Sequence, residues 1–350
     1  MARSNVARDV LWPKDKNVLV RVAALYVGQG SSAIVFAAKG DSYDVLVVDI
    51  NMDKERGGID VPRLIKDLLD GDDLYAFVNT HPHDDHTRGV LALSESVTIK
   101  NVWHSGHIPS KKYGACFYDE LKKVIDTVKK AGGDEIILEG SKSSNSLGDA
   151  AYHVLSPAEY VTDEVNEEKA DERYRRIHEQ CAVIKFGKDE TWVMIPGDAD
   201  HVAFREHITE YHKERLGAFA LFASHHGSRS FFRETEDDEP YLDALDAIDP
   251  SYVVISAPKR DESPHEHPHE DAVELYADKV GEENLFHTGE DRHCFIVDIY
   301  KDGTYSAPTD DAGKLVNEYG LSPDDEGDKS TKGGYSPREK VTVIGASRFA

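Results

Sequence analysis

Residues 81–86 read His-Pro-His-Asp-Asp-His and follow the apolar run 74–80. The fixed members of this HxHxDH pattern are His81, His83, Asp85 and His86. Imidazoles and a carboxylate packed so closely in sequence can face one another only where the backbone turns sharply, at the end of a strand. Their chemistry is metal ligation. Imidazole suits zinc and other first-row metals, and the carboxylate widens the choice towards manganese or iron. A solvated His-rich turn is the bland alternative. Two later clusters, His225-His226 and His265 to His269, weigh against it, because eight of the 17 histidines fall in three short windows. Asp198, after Pro196-Gly197, is the natural further ligand, since a carboxylate at a strand end can bridge two cations. Two ions about 3.5–4 Å apart would activate a shared water and clamp the attacking and leaving oxygens of a displacement.

The elements that must position these residues alternate between strand and helix. Residues 18–27, 32–38 and 43–50 read as strands separated by Gly28-Gln29-Gly30 and Lys39-Gly40-Asp41. Asp60 caps a helix with apolar positions Val61, Leu64, Ile65 and Leu68, which Gly71 ends. Residues 74–78 form a buried strand before the first His cluster, and 97–103 form another. A second amphipathic helix carries Phe117, Leu121, Val124, Ile125 and Val128 and stops at Gly132-Gly133. The charged stretch 162–180 reads as a surface loop or exposed helix. Residues 181–186 and 191–195 form a hairpin that leads into Asp198. Strands at 218–223 and 252–256 lead into the later His clusters, and a helix from about 270 to 279 and a strand at 293–300 complete the core. Ligands on loops at strand ends are the usual arrangement over an α/β sheet. From 306 the composition turns to Gly, Asp, Lys, Ser and Pro. The expected organisation is one domain over 1–305 and a loosely attached polar tail over 306–350, in which 341–344 could add an edge strand.

The chain has 350 residues, 39% of them hydrophobic, enough for a full core. It has no apolar run long enough to span a membrane, and its polar start lacks the apolar middle of a signal peptide. A cytoplasmic, non-membrane protein is expected. Cys116, Cys181 and Cys294 are too few and scattered for a disulfide framework. Cys181 and Cys294 read as small buried residues apart from the ligands. The net charge of −25 opposes a broad nucleic-acid-binding face, although divalent metals reverse the field within a site.

The segments Val27-Gly-Gln-Gly30, Asn79-Thr-His81-Pro-His83-Asp-Asp85-His86, Pro196-Gly-Asp198-Ala, Ser224-His225-His226-Gly-Ser228 and His267-Pro268-His269 occur in one order. In this the chain resembles the metallo-β-lactamase-fold hydrolases, and more narrowly the hydrolase domain of the ComEC-type competence protein and its stand-alone relatives. The resemblance covers roughly 18–300. It implies a four-layer αβ/βα sandwich, an α+β or α/β fold with metals at one edge of two facing sheets. It also implies two divalent ions, zinc or manganese with iron as an alternative. His81 and His83 would bind the first, Asp85 and His86 the second, and Asp198 would bridge. Of the adjacent pair, His225 is favoured as the second-metal ligand, with His226 orienting substrate or water and the reverse left open. His267 would sit at the mouth as a ligand, phosphate contact or proton donor. Tyr26 and Ser31 stand where the family usually has acids. Many relatives have a further first-metal histidine before the bridging Asp, for which His153, His104 and His107 are the candidates.

The function that follows from the resemblance is phosphodiester hydrolysis of nucleic acid or a nucleotide. Asp85 or Asp198 would orient the attacking water, and His226 or His267 would protonate the leaving oxygen. Arg229, Lys259 and Arg260 are candidate phosphate contacts. Hydrolysis of an ester, amide or thioester on the same site is the alternative. A third reading is a metal-stabilised interaction protein whose acidic loops near Asp171 and Glu236 dock a protein partner. An intact ligand set counts against that reading, since a scaffold has no use for open coordination positions.

Overall fold

The computed structural model describes residues 5–110 and 117–323. Cys116 and the segment 341–344 lie outside them. Strands β1 (Val18–Ala24), β2 (Ala33–Lys39), β3 (Ser42–Val48), β4 (Leu74–Asn79), β5 (Ile99–His104) and β6 (Asp134–Ile137) build most of one sheet. The second sheet holds β7 (Asn145–Leu147), β8 (Ala150–Ser156), β9 (Val183–Lys188), β10 (Thr191–Ile195), β11 (Ala220–Phe222), β12 (Tyr252–Ile255) and β13 (Leu285–His287). The chain then returns to the first sheet through β14 (Phe295–Tyr300) and β15 (Thr309–Asp310). The first sheet runs β15-β14-β1-β2-β3-β4-β5-β6 and the second β13-β12-β11-β10-β9-β8-β7.

Alternation along the strands makes three apolar layers. In β2, Ala33, Val35 and Ala37 face the second sheet, while Ile34 and Phe36 face helices on the outer side. In β10, Val193 and Ile195 face the first sheet, while Trp192 and Met194 face outward. Helices Val6–Leu11, Val61–Leu69, Val90–Ser96, Tyr118–Lys130 and Lys314–Tyr319 cover the first sheet. Asp243–Ile248, Glu270–Val280 and the helical segments between 201 and 215 cover the second. The result is a four-layer αβ/βα sandwich. As the sequence implies, Asp60 caps Val61–Leu69 by accepting from the Arg63 N–H, and left-handed Asp70 ends that helix just before Gly71.

Packing continues past the composition change at 306. β15 pairs with β14, and Leu315 and Tyr319 are buried in the outer core of the first sheet. The charged stretch 162–180 is mostly helical, as Glu159–Glu167 and Ala170–Arg175.

Topology decides where the site falls. β3 and β4 are parallel, as are β10, β11 and β12, so the loops after all five open at one edge. β9 runs antiparallel to β10, which brings the residues just before β9 to that same edge.

Candidate metal centre

The loop after β4 supplies His81, His83, Asp85 and His86, and the turn after β10 supplies Asp198. Their ligand-capable atoms form two groups, each within 4.8 Å: His81, His83, His178 and Asp198, and Asp85, His86 and His226. Asp198 reaches both. Its Oδ1 is 3.1 Å from His86 Nε2 and 3.6 Å from His226 Nε2, while Oδ2 is 3.5 Å from His81 Nε2. Asp198 thus lies between the two groups, where the sequence reading expects a bridging carboxylate.

The donor set fits divalent cations. His81 Nε2 lies 3.0 Å from His83 Nδ1, and His86 Nε2 lies 3.1 Å from His226 Nε2. Asp198 Oδ1 is buried and accepts no hydrogen bond of good geometry, despite the imidazole nitrogen 3.1 Å away. Nitrogen and carboxylate donors crowded at these distances, with a buried carboxylate oxygen left over, are a set that divalent cations would satisfy.

Several local features hold this geometry. Asp49, at the end of β3, accepts from His86 Nδ1 at 2.8 Å, from Thr80 Oγ1 at 2.6 Å and from the Thr80 N–H at 2.7 Å. The Thr80 hydroxyl in turn lies 3.2 Å from His81 Nδ1. One carboxylate therefore orients a histidine of each group, fixing which ring nitrogen faces inward. Gly30 is needed for close approach, since a Cβ there would lie 2.4 Å from the Asp85 carbonyl oxygen. Gly197, at φ 56°, leaves room for Cys181 Sγ and Thr80. His225 and His226 are both left-handed, with φ 49° and 57°. Consecutive non-glycine residues in this region are costly and mark a turn held by its surroundings.

Electrostatics follow from this crowding. Burial opposes the charge on Asp85, but His226 and His86 hold its carboxyl well below the usual range. Burial likewise opposes Asp198, and His86, His225, His226 and His81 prevail. Burial lowers His81, His178 and His225, and takes His83 down to about 4. His86 rises despite burial because Asp198 and Asp49 flank it, and His226 rises through Asp198 and Asp85.

Placement in the structure differs from the favoured sequence reading at four points. The ligand atom that groups with those of Asp85 and His86 is that of His226, the member of the pair the sequence reading favoured less. His225 instead places Nδ1 2.8 Å from Ser230 Oγ and Nε2 3.6 Å from Asp198 Oδ2. The further first-group histidine is His178, which the sequence analysis did not name. Of the three candidates for that place, His153 stacks on Trp192 at 4.0 Å, His104 faces Glu135 at 3.2 Å, and His107 faces Gln180 at 2.6 Å. Thirdly, Cys181 does lie beside the ligands: Asp198 N donates to its Sγ at 3.2 Å, and His81 Nδ1 is 3.6 Å away. Burial pushes this thiol well up, so it is neutral. Finally, Arg229 is turned away to Asp271 and Glu236, and Arg260 to Glu270.

His267 is buried at the mouth, with its ring 5.1 Å from that of His225 and 6.1 Å from that of His226. Its Nδ1 has no hydrogen-bond partner, and burial beside His226 lowers its pKa to about 3. Ser31 Oγ is 3.5 Å from His226 Nδ1, whereas the Tyr26 hydroxyl donates to the Arg56 carbonyl at 2.9 Å. Of these two residues, Ser31 touches the site through its hydroxyl.

No family model and no curated protein matches this chain. Among solved structures it is similar to a diphosphatase from the PhnP family, at 13% identity over 77% of this chain and 94% of that one, with a TM-score of 0.37. A metallo-β-lactamase superfamily protein from the archaeon Sulfolobus tokodaii is 17% identical over 51% of this chain and 62% of its own, with a TM-score of 0.28. Metallo-β-lactamase SMB-1, bound to 2-mercaptoethanesulfonate, is 10% identical over 85% and 92%, with a TM-score of 0.29.

Proposed function

We propose that the chain is a dinuclear metal-dependent hydrolase of phosphodiesters, akin to the ComEC-type hydrolases that its motifs resemble. The observation that carries this reading is the single carboxylate of Asp198 shared by two ligand groups. His81, His83 and His178 would hold one zinc or manganese ion, Asp85, His86 and His226 the other, and Asp198 both. Bound there, the ions would supply Lewis acidity, lowering the pKa of water and stabilising charge on the phosphoryl oxygens. Asp85 and Asp198 stay ionised, so each can orient water by accepting its hydrogen bond. His225 and His267 are neutral at the mouth and can donate an N–H to a phosphoryl or leaving oxygen without adding a buried charge. Asp49, through His86 and Thr80, keeps the ligand rings from rotating when substrate arrives.

No helix among the described residues is long and apolar enough to cross a membrane. A cytoplasmic location belongs to the proposal. The alternative, hydrolysis of an ester, amide or thioester, draws on one observation: Arg229 and Arg260 are engaged by carboxylates and offer no free guanidinium to an anion. The experiment that decides is metal analysis of purified protein joined to a substrate screen. The screen comprises bis-p-nitrophenyl phosphate, single-stranded DNA, duplex DNA, RNA and p-nitrophenyl acetate. Metal-dependent cleavage of a phosphodiester, lost in Asp198→Asn, is expected. Cleavage of the acetate alone would refute the phosphodiester reading.

A further inference from the structure

His225 joins neither ligand group, although it stands among the ligands. Its side chain is 20% exposed, whereas those of His81, His86 and His226 are at most 1% exposed. The ring lies on the way from the ligands to the mouth, with its centre 4.4 Å from that of His178 and 5.1 Å from that of His267. Its two nitrogens have different neighbours. Nε2 is 3.6 Å from Asp198 Oδ2, and Nδ1 is 2.8 Å from the Ser230 hydroxyl oxygen. Ser230 is itself anchored. Its N–H donates to Ser228 Oγ at 3.3 Å, its carbonyl faces His201 Nδ1 at 3.1 Å, and the next residue, Phe231, is buried.

These neighbours decide which nitrogen carries hydrogen. A neutral imidazole has one N–H and one lone pair. A lone pair on Nε2 would face a carboxylate oxygen and be repelled, so the hydrogen belongs on Nε2. Nδ1 is then the acceptor and the Ser230 hydroxyl its donor. A hydrogen bond at one ring nitrogen sets what the other can do. We infer that Ser230 is a positioning residue that holds His225 with its Nε2–H turned into the site. There the N–H meets a phosphoryl oxygen of the substrate as negative charge builds in the transition state. The hydrogen stays on the ring throughout, so the contact needs no proton transfer and no base to restore it. A donor fixed beforehand costs no reorganisation at the moment of reaction. This rests on the phosphodiester reading above and deepens it, by naming the hydroxyl that keeps the donor in place.

The first test reads the tautomer directly. Nitrogen–proton correlation spectra are recorded on the zinc-loaded full chain with isotope-labelled histidine, and His225 is assigned by its loss in His225→Gln. Wild type should show His225 with hydrogen on Nε2 and a bare Nδ1. Ser230→Ala should show a mixture of tautomers, and Ser230→Thr, which keeps the hydroxyl, the wild-type pattern. The second test is kinetic, with bis-p-nitrophenyl phosphate. His225→Ala should lower kcat about 10²–10³-fold, the usual loss for one such donor. Ser230→Ala should lower kcat about tenfold with KM little changed, and Ser230→Thr should recover most of that loss. The double variant should be no slower than His225→Ala, because Ser230 acts only through the ring. Metal content and circular dichroism of each variant identify any loss of structure. Hydrogen on Nδ1, a metal-coordinated Nε2, or an unaltered tautomer in Ser230→Ala overturns the inference. So does a double variant slower than His225→Ala by the full factor of Ser230→Ala. Each of these outcomes leaves the phosphodiester reading standing. Wild-type protein that cleaves p-nitrophenyl acetate and no phosphodiester refutes that reading, and the part given to His225 falls with it.

Discussion

Replacing Asp49 by Asn would retain the shape of a buried side chain that touches no proposed ion and remove its charge. The backbone should tolerate the change, because Asp49 has φ 56° and Asn enters the left-handed region as readily as Asp. The hydrogen bonds would not. Oδ2 accepts from His86 Nδ1 and Thr80 Oγ1, while Oδ1 accepts from the Thr80 N–H and, at 3.3 Å, from Asn79 Nδ2. An amide has one oxygen. If that oxygen keeps His86, the NH2 faces the Thr80 N–H, donor against donor. If it keeps Thr80 N–H, the NH2 faces His86 Nδ1, which must give up its proton and move it to Nε2, the nitrogen turned towards Asp198. Loss of such an orienting partner costs about 10–100-fold in metal affinity, or about 1.4–2.8 kcal/mol. A donor left unsatisfied in the interior adds a stability loss of about 1–3 kcal/mol. Competition with a chromophoric chelator measures the first quantity and urea denaturation the second. The group holding His86 should weaken more, because His81 meets Asp49 only through Thr80. Asp49→Asn that holds both equivalents with wild-type affinity would refute the orienting role.

Three further outcomes follow from the geometry. His226→Ala should lose one metal equivalent by elemental analysis while His225→Ala keeps both; the opposite pattern would restore the assignment read from the sequence. His178→Ala should weaken the first ion and His153→Ala should leave metal content unchanged, since His153 is committed to Trp192. The same His153 ties stability to pH. Burial lowers its pKa to about 4, below the ordinary value of about 6.5, so in that window the unfolded chain binds a proton that the folded chain refuses. Stability should therefore fall as pH drops from about 6.5 to about 4. His212, also lowered to about 4, acts in the same direction, so His153→Phe should flatten the slope in part and not abolish it. Urea denaturation across that range at constant metal checks this, and an unchanged slope in His153→Phe would count against it.

What the sequence made legible is what a short window contains. The HxHxDH loop, Asp198 and the His225-His226 pair all announce themselves by residue type beside an apolar strand, and the structure brings them to one edge. His178 is hidden because its own window is charged and helical, with Arg173, Arg175 and Arg176 around it, and reads as surface. Its access to the site comes from β9 running antiparallel to β10, a pairing that carries the start of β9 to the end where Asp198 sits. Asp49 is hidden in the opposite way, as a polar residue closing an apolar strand, where a turn explains it as well as a site does. The choice between His225 and His226 turns on two left-handed residues in succession. Residue type signals that conformation for glycine and only weakly for Asn, Asp or His, and two adjacent histidines give no sign of which one turns inward. Spacing can therefore name the chemistry of such a site, whereas the division of labour between adjacent ligands is set by backbone that the ligands themselves hold in place.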